Sequence, residues 1–148
     1  MDKWDKRFVD LAHLIAGWSK DRSTKVGAVI VGRNREVIST GFNGFPPGID
    51  DEIEERHERP VKYLYTEHAE RNAIYLAAAN GAGLRGTNLY VTMHPCAECA
   101  RAIIRTGVTR LVTRVVPQPL DTTGNWRDGC LTAQSLLREA GVSITEYD

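Results

Sequence analysis

Two short stretches constrain this chain more than any other feature, because together they can hold a zinc ion. The first is His68-Ala69-Glu70, and the second is Pro95-Cys96-Ala97-Glu98-Cys99. A catalytic zinc site uses three nitrogen or sulfur ligands and leaves its fourth position for water. His68, Cys96 and Cys99 supply three such ligands. Any fold of this chain must therefore bring the two stretches to one point.

Glu70 is not needed as a ligand and would lie beside the metal, where its carboxyl group can move protons. The pattern H-x-E…P-C-x-x-C is the signature of zinc-dependent nucleobase deaminases. Attack of water at C4 of a cytosine requires the water to lose a proton and then N3 and the leaving amine to gain one. Glu70 can serve both steps, which predicts that it is the general acid and base.

A structural zinc site is the alternative, and it would need a fourth protein ligand. His57 or His94 could supply one, but neither has a partner at ligand spacing. Glu98, between the two cysteines, is expected to cap the helix or face solvent, with no catalytic role.

Size and composition predict one domain over residues 1–148. The chain is 42% hydrophobic and 26% charged, which is ordinary for a globular protein. No apolar run approaches the roughly 20 residues that span a bilayer. The amino-terminal stretch is charged, and Asp10 and His13 interrupt its apolar positions, which is unlike a signal peptide. We therefore expect a cytoplasmic protein without a membrane partner.

The charge balance argues against a polynucleotide partner. Basic and acidic residues each number 19, so the formal net charge is zero and no basic stripe is visible. An acidic run at 50–55 is expected to be a solvated loop. The three cysteines are an odd number, which argues against a disulfide framework, and Cys130 is expected to be a small, partly buried apolar residue.

Periodicity predicts that helices and strands alternate along the chain. The predicted helices cover 4–18, 68–80, 96–106 and 131–140. The predicted strands cover 26–31, 37–42, 88–93, 109–116 and 142–147, with long loops at 43–66 and 117–128. This order predicts an α/β fold in which a mixed five-stranded sheet carries helices on both faces. The metal ligands then lie at the starts of two helices, whose positive ends favour ionised thiols.

The chain resembles the deoxycytidylate (dCMP) deaminase family over nearly its whole length. The zinc motif alone identifies only the wider deaminase superfamily. The nucleotide branch is indicated by further stretches: Ser19-Lys20-Asp21, Val26–Val31, Gly41–Gly48, His68–Ile74 and Pro95–Ala100. The resemblance implies a three-layer α/β/α cytidine deaminase-like fold. It also implies hydrolysis of dCMP to dUMP and ammonia, with zinc-bound hydroxide attacking C4 and Glu70 as proton shuttle.

The same resemblance implies substrate contacts. Asn43 would hydrogen-bond the sugar hydroxyl, the N–H of Ala69 would meet the base carbonyl, and the base would lie against His68 and Val26. The candidates for holding the 5′-phosphate are Ser19, Lys20 and Lys25. Without the zinc motif these positions have simpler explanations, because Asn-Gly is a good turn pair and both lysines could be ordinary surface residues.

Relatives in this family are often homohexamers regulated by dCTP and dTTP, which implies an oligomer with an effector site near residues 43–48. A nucleotide effector could bring Mg²⁺ with it.

Apolar side chains in the long loops also predict subunit contacts, because large exposed apolar patches are uncommon on monomers. Among the apolar residues of the two long loops, this prediction concerns Phe45, Ile49, Ile53, Tyr63, Leu64, Tyr65, Leu120 and Trp126. The alternative is that the loops fold back as a lid. Residues 117–128 depart from the segment expected in the family.

Other functions remain open from the sequence. Free-nucleoside cytidine deaminases typically carry cysteine at the position of His68, and tRNA adenosine deaminases would want a basic face. Deaminases of guanine, CMP or a 5-substituted dCMP share the zinc motif. A catalytically silent nucleotide-sensing subunit is the non-enzymatic alternative, and the intact motif argues against it.

Overall fold

The computed structural model describes residues 1–116 and 124–148. Its helices are α1 Lys3–Ala16, α2 Lys62–Tyr65, α3 Ala69–Ala79, α4 Ala97–Thr106 and α5 Gly124–Glu139, with a 3-10 turn at Glu54–His57. Its strands are β1 Gly27–Val31, β2 Val37–Phe42, β3 Asn88–Val91, β4 Arg110–Arg114 and β5 Ser143–Tyr147.

The five strands form one sheet in the order β2-β1-β3-β4-β5. β1 is antiparallel to both β2 and β3, whereas β3, β4 and β5 run parallel. The predicted mixed sheet is therefore confirmed, and its first two strands form an antiparallel pair. Parallel strands need crossover connections, and α4 and α5 supply them.

Alternate residues of the central strands face two separate halves of the core, as a pleated strand requires. On one face Val29, Tyr90 and Val112 pack against α1. On the other face Ile30, Leu89 and Leu111 pack with apolar side chains of α3, α4 and α5. The predicted α/β fold with helices on both faces of the sheet is confirmed. The single-domain organisation stays a prediction.

Helix α3 lies unusually close to strand β2, which fixes where the zinc motif begins. A Cβ atom at Gly41 would collide with the carbonyl oxygen of Ala69 and the amide nitrogen of Ala73. The hydroxyl of Ser39 donates to the carbonyl of Ala73 at 2.8 Å, and the side chain of Asn72 donates to the carbonyl of Phe42 at 2.8 Å. The start of α3 is thus held by backbone approach and by hydrogen bonds from one strand.

A partly buried ion pair ties α1 to the face of the sheet against which it packs. Both oxygens of Asp5 accept hydrogen bonds from the guanidinium of Arg110 at 2.8 Å, and the hydroxyl of Tyr90 donates to the same carboxylate at 3.0 Å. Arg110 lowers the pKa of Asp5 to about 2. The carboxylate is therefore ionised and fully paired inside the fold.

Two regions differ from the sequence-based prediction by more than a shift of one to two residues at an element's end. The helix predicted to start at 131 starts at Gly124, so Trp126 and Cys130 lie in α5 rather than in a loop or ahead of the helix. The predicted loop at 43–66 contains the 3-10 turn and the short helix α2. The rest of the predicted 117–128 loop, including Leu120, lies outside the described residues. Within the described parts of the chain, no helix is both long and apolar enough to cross a bilayer.

Candidate active site

The predicted zinc ligands meet where helices α3 and α4 begin. His68 is the N-cap of α3 and Cys96 is the N-cap of α4, each in an extended backbone conformation. Cys99 follows within the first turn of α4 and is fully buried. Each helix start has free backbone N–H groups and a partial positive charge. Both helix dipoles therefore favour negative charge at this point.

The three ligand atoms have the spacing of a zinc site. The Nδ1 atom of His68 lies 3.5 Å from the sulfur of Cys96 and 3.4 Å from the sulfur of Cys99. Standard bond lengths of about 2.3 Å to sulfur and about 2.0 Å to nitrogen give tetrahedral edges of about 3.6 Å between nitrogen and sulfur. These residues therefore fit a zinc ion. In the described part of the chain they form the only group of three or more candidate ligands.

The hydrogen bond between the two thiols shifts their pKa values in opposite directions. The pKa of Cys96 is lowered to about 3, first because its sulfur accepts a hydrogen bond from Cys99 and also because His68 donates to it. The pKa of Cys99 is raised, because its thiol donates to Cys96 and is buried. The hydrogen bond to Cys96 also raises the pKa of His68. A zinc ion would hold both sulfurs as thiolates, because zinc binds cysteine in that form.

Glu70 has the environment of a general acid and base. It lies in the first turn of α3 and is only 4% exposed. Burial raises the pKa of its carboxyl group, and the nearby imidazole of His68 opposes this only in part. A raised pKa keeps the protonated form available nearer neutral pH, which suits a group that must both accept and donate a proton.

His68, Cys96 and Glu70 line a cavity of about 740 Å³. This volume lies in the range typical of small-molecule sites. Of the predicted substrate contacts, Asn43, Ala69 and Val26 line the cavity. The remaining lining residues come from five regions: Asp21, Ser23 and Thr24; Arg59, Lys62, Tyr63 and Thr66; Arg71; Met93, His94 and Glu98; and Trp126.

The side chain of Asn43 links two parts of the cavity wall through hydrogen bonds to the backbone of residues 24 and 26. Its side-chain oxygen accepts from the N–H of Val26 at 2.8 Å, and its side-chain nitrogen donates to the carbonyl of Thr24 at 2.8 Å. The hydroxyl of Ser19 donates to the backbone carbonyl of Asn43 at 2.7 Å and is buried. Sugar recognition by Asn43 stays a prediction.

The predicted phosphate-binding residues lie apart from this cavity. Ser19, Lys20 and Lys25 are not among its lining residues. Lys20 pairs with Asp51 at 2.8 Å and Glu52 at 2.9 Å, and it lines a smaller pocket of about 260 Å³ beside Phe45 and His57. Lys25 is exposed. Phosphate contact by these residues stays a prediction.

The two histidines considered as fourth ligands have other contacts. The ring of His57 stacks on Phe45 at 4.7 Å, and its Nε2 lies 2.7 Å from the carbonyl oxygen of Asp51. The Nδ1 of His94 lies 3.0 Å from the carbonyl oxygen of Pro95. Neither belongs to the ligand group.

The Mg²⁺ ion expected with an effector finds no support in the described residues, which offer no group of ligands other than the zinc cluster.

Sequence reasoning missed the cationic side of the cavity. Lys62 is buried and pairs with Asp21 at 3.0 Å, while Arg71 pairs with Glu67 and with Glu98 at 2.8 Å. Arg59 is exposed. Nothing in the local pattern distinguishes these residues from surface cations, because their placement depends on how residues 50–66 cross the site.

Comparison with known proteins shows the class to which this fold and site belong. The sequence model of the cytidine and deoxycytidylate deaminase zinc-binding region matches residues 2–115. The chain therefore belongs to the cytidine and deoxycytidylate deaminase family, and it is an enzyme of the zinc-dependent hydrolase class.

Individual relatives agree with this assignment. The chain is 42% identical over 145 residues to an uncharacterized deaminase encoded in the luxG 3′ region of Aliivibrio fischeri, covering 98% of this chain and 94% of that protein. It is 35% identical to human deoxycytidylate deaminase, covering 98% of this chain and 80% of that protein. The crystal structure of dCMP deaminase from the cyanophage S-TIM5 with dCMP and dUMP superposes with a TM-score of 0.77 at 26% identity, covering 99% of each chain.

Proposed function

We propose that this protein hydrolyses dCMP to dUMP and ammonia, with Glu70 as the proton shuttle. The observation that carries the proposal is the spacing of His68, Cys96 and Cys99 beside a buried carboxyl group in one cavity. Relatives named as deoxycytidylate deaminases, and the phage enzyme with bound dCMP and dUMP, support this choice of substrate.

The chain's own residues can perform both proton movements. A zinc ion held by His68, Cys96 and Cys99 would supply an activated water, because zinc can lower the pKa of bound water to about 7. Glu70 accepts a proton from the attacking water and delivers it to N3 of the cytosine. Glu70 then takes the second proton of that water from the new hydroxyl at C4 and delivers it to the amine, so that the C4–N bond breaks, ammonia leaves and the carbonyl of the uracil forms. The burial that raises the pKa of Glu70 makes its carboxylate a stronger base toward the water and keeps its carboxyl group protonated nearer neutral pH for the later steps.

The cavity walls suggest how the pyrimidine is oriented. Ala69 is the first residue of α3, so its backbone N–H has no acceptor in a preceding helical turn and is free to meet the base carbonyl. Val26, His68 and Asn43 line the cavity, which supports a pose in which Val26 and the imidazole of His68 flank the base and Asn43 faces the sugar. These contacts place C4 next to the water and Glu70.

A substrate screen tests the proposal. The purified, zinc-loaded protein is incubated with dCMP, CMP, deoxycytidine, guanine and adenosine, and ammonia release is measured. We expect the highest kcat/KM for dCMP. Preference for guanine or adenosine would contradict the proposal, and no release from any substrate would favour a silent nucleotide-sensing subunit.

We also propose that the protein is a homo-oligomer, with a hexamer favoured by the family resemblance, and that dCTP and dTTP regulate it from the pocket lined by residues 44–49. The pocket of about 260 Å³ supports this placement because Lys20 and the aromatic ring of Phe45 both line it. Deamination of dCMP at rising dTTP concentration tests regulation, and a rate that does not change would contradict it. A cytoplasmic location stays a prediction.

A further inference from the structure

One set of ion pairs joins the two helix starts that carry the zinc ligands. The guanidinium of Arg71, in the first turn of α3, donates to Glu67 at 2.6 Å and to Glu98 at 2.8 Å. Glu67 directly precedes His68, and Glu98 lies between the two cysteine ligands. We call the three charged side chains the Arg71 bridge. Within residues 1–116 and 124–148, it makes the only side-chain hydrogen bond between α3 and α4 other than the contacts of the ligand atoms.

Glu67 connects the Arg71 bridge to the backbone of a zinc ligand. Its Oε1 atom accepts from Arg71 and also from the backbone N–H of His68 at 2.9 Å. The backbone of Glu67 is itself held by two hydrogen bonds with Gly44, at 2.8 and 3.1 Å, in the segment that follows β2. The position of His68 therefore depends on a carboxylate that Arg71 holds in place.

Arg71 is the shielded member of the bridge. Its side chain is 16% exposed and lines the active-site cavity, whereas the side chain of Glu98 is 64% exposed. Exposed ion pairs add little to the stability of a fold. The bridge therefore matters more for where its partners lie than for the free energy of unfolding.

We infer that Arg71 is a positioning residue of the zinc site, because its two ion pairs hold the start of α3 beside the start of α4. Loss of the bridge frees the two helix starts to move relative to each other. That movement disturbs the spacing of 3.4 and 3.5 Å between the imidazole of His68 and the two cysteine sulfurs. A guanidinium suits this role, since it presents several donors in one plane and can bind two carboxylates at once.

Zinc release tests the inference without turnover, so only the activity measurements below rest on the proposed function. Zinc-loaded protein is mixed with an excess of a chromogenic chelator, and the rate of zinc transfer is measured. We expect Arg71→Ala to release zinc about 10- to 100-fold faster than wild type. Arg71→Lys should fall between the two, because it keeps the charge but not the planar donors. Arg101→Ala is the control, since Arg101 is an exposed arginine of α4 that does not line the cavity.

Two further variants show whether the effect passes through the partner on α4. Glu98→Gln should increase zinc release by less than Arg71→Ala does. The double variant should release zinc no faster than Arg71→Ala alone, because the arginine that Glu98 binds is already absent. An additive effect of the two substitutions would overturn the inference.

Cobalt in place of zinc reports the ligand geometry directly. The absorption bands of bound Co²⁺ should shift in Arg71→Ala and stay unchanged in Arg101→Ala. If Arg71→Ala leaves both zinc release and cobalt absorption unchanged, the inference is overturned, and the proposed function stands provided that wild type turns over dCMP.

Kinetics at full zinc occupancy separate positioning from substrate contact. A positioning role predicts a lower kcat for dCMP in Arg71→Ala with an almost unchanged KM. A higher KM alone, with zinc release and cobalt absorption unchanged, would assign Arg71 to substrate binding and overturn the inference. If wild type binds zinc but does not deaminate dCMP, the proposed function fails, and the comparison of zinc release still decides the inference.

Discussion

In the proposed mechanism, Glu70 is the residue on which the chemistry depends. We expect Glu70→Gln to keep its zinc while lowering kcat for dCMP by about 100- to 10,000-fold, because an amide cannot transfer the proton. Metal analysis and ammonia release on the same preparation measure both quantities. Glu139→Gln, an exposed substitution on α5, is the control. A fully active Glu70→Gln would mean that another group carries the proton.

Asp5 offers a test of electrostatic stability that is independent of the active site. Its folded pKa of about 2 lies below the unfolded value of 3.8, so its ionised form stabilises the native state above pH 4. That contribution is lost as pH falls through 2. A shift of this size corresponds to about 2 kcal/mol. We expect the free energy of unfolding of wild type, relative to Asp5→Asn, to fall by about this amount between pH 5 and pH 2.

Urea unfolding at constant ionic strength measures this difference for Asp5→Asn. The control is Asp10→Asn, because Asp10 is an exposed residue of the same helix and makes no described ion pair. A wild-type stability that tracks the Asp5→Asn variant across this pH range would show that the ion pair with Arg110 contributes nothing.

At the scale of elements, the contact between β2 and α3 positions the catalytic residues. Gly41→Ala would push its new Cβ against the backbone of Ala69, which lies between His68 and Glu70. Overpacking of this kind typically costs about 1–3 kcal/mol. We expect a lower free energy of unfolding together with weaker zinc retention, measured by denaturant titration and metal analysis. Gly83→Ala is the control, since nothing lies within 4 Å of a Cβ there.

If Gly41→Ala lost stability but kept zinc and activity unchanged, the close approach would support the fold without positioning the site.

The sequence predicted the elements that have a clear period and the ligands that have a fixed spacing. Strand β2 and the ends of α4 fall within one residue of the predicted bounds, because apolar alternation and the sequence Pro95…Gly107 mark them. The predicted start of α5 was wrong, because Gly124 and its polar neighbours are typical of a loop. Only the position of the helix above the cavity shows that Trp126 faces the site.

Ion pairs between residues that lie far apart in the chain could not be predicted from the sequence either. Lys20 was predicted to meet a phosphate, yet in the structure it pairs with Asp51 and Glu52, both about thirty residues away. Arg59 gave no signal, because a lone arginine before a proline has no periodic context. Local patterns encode helices and ligand spacing, whereas tertiary contacts decide which surface cation lines a cavity.

At the scale of the molecule, the sequence left two roles open for the apolar side chains of the long loops, namely contact with another subunit or folding back over the chain's own pocket. The structure favours different roles for different side chains. Phe45 packs on Tyr65 at 5.5 Å within the chain, and Trp126 lines the cavity. Leu64 is 85% exposed and Tyr63 is 63% exposed. Helix α2, which carries both residues, is therefore a better candidate for a subunit contact than Phe45 or Trp126.

We expect light scattering at low micromolar concentration to give a mass well above the 16.5 kDa of one chain. Leu64→Asp should reduce the assembled fraction, because a buried unpaired carboxylate opposes association. Trp126→Ala should leave assembly intact and change KM for dCMP. A monodisperse, fully active monomer would contradict the proposed oligomer.

The placement of the zinc ligands on two separate helices has a consequence for thermodynamic linkage. An unfolded chain scatters His68 away from Cys96 and Cys99, so the ion binds the native state far better than the denatured one. Mass action then makes stability a function of free zinc, adding about 4 kcal/mol when its concentration is 1,000 times the Kd. Thermal unfolding across a series of zinc buffers should therefore show Tm rising with the logarithm of free zinc. In Cys99→Ser this slope should flatten.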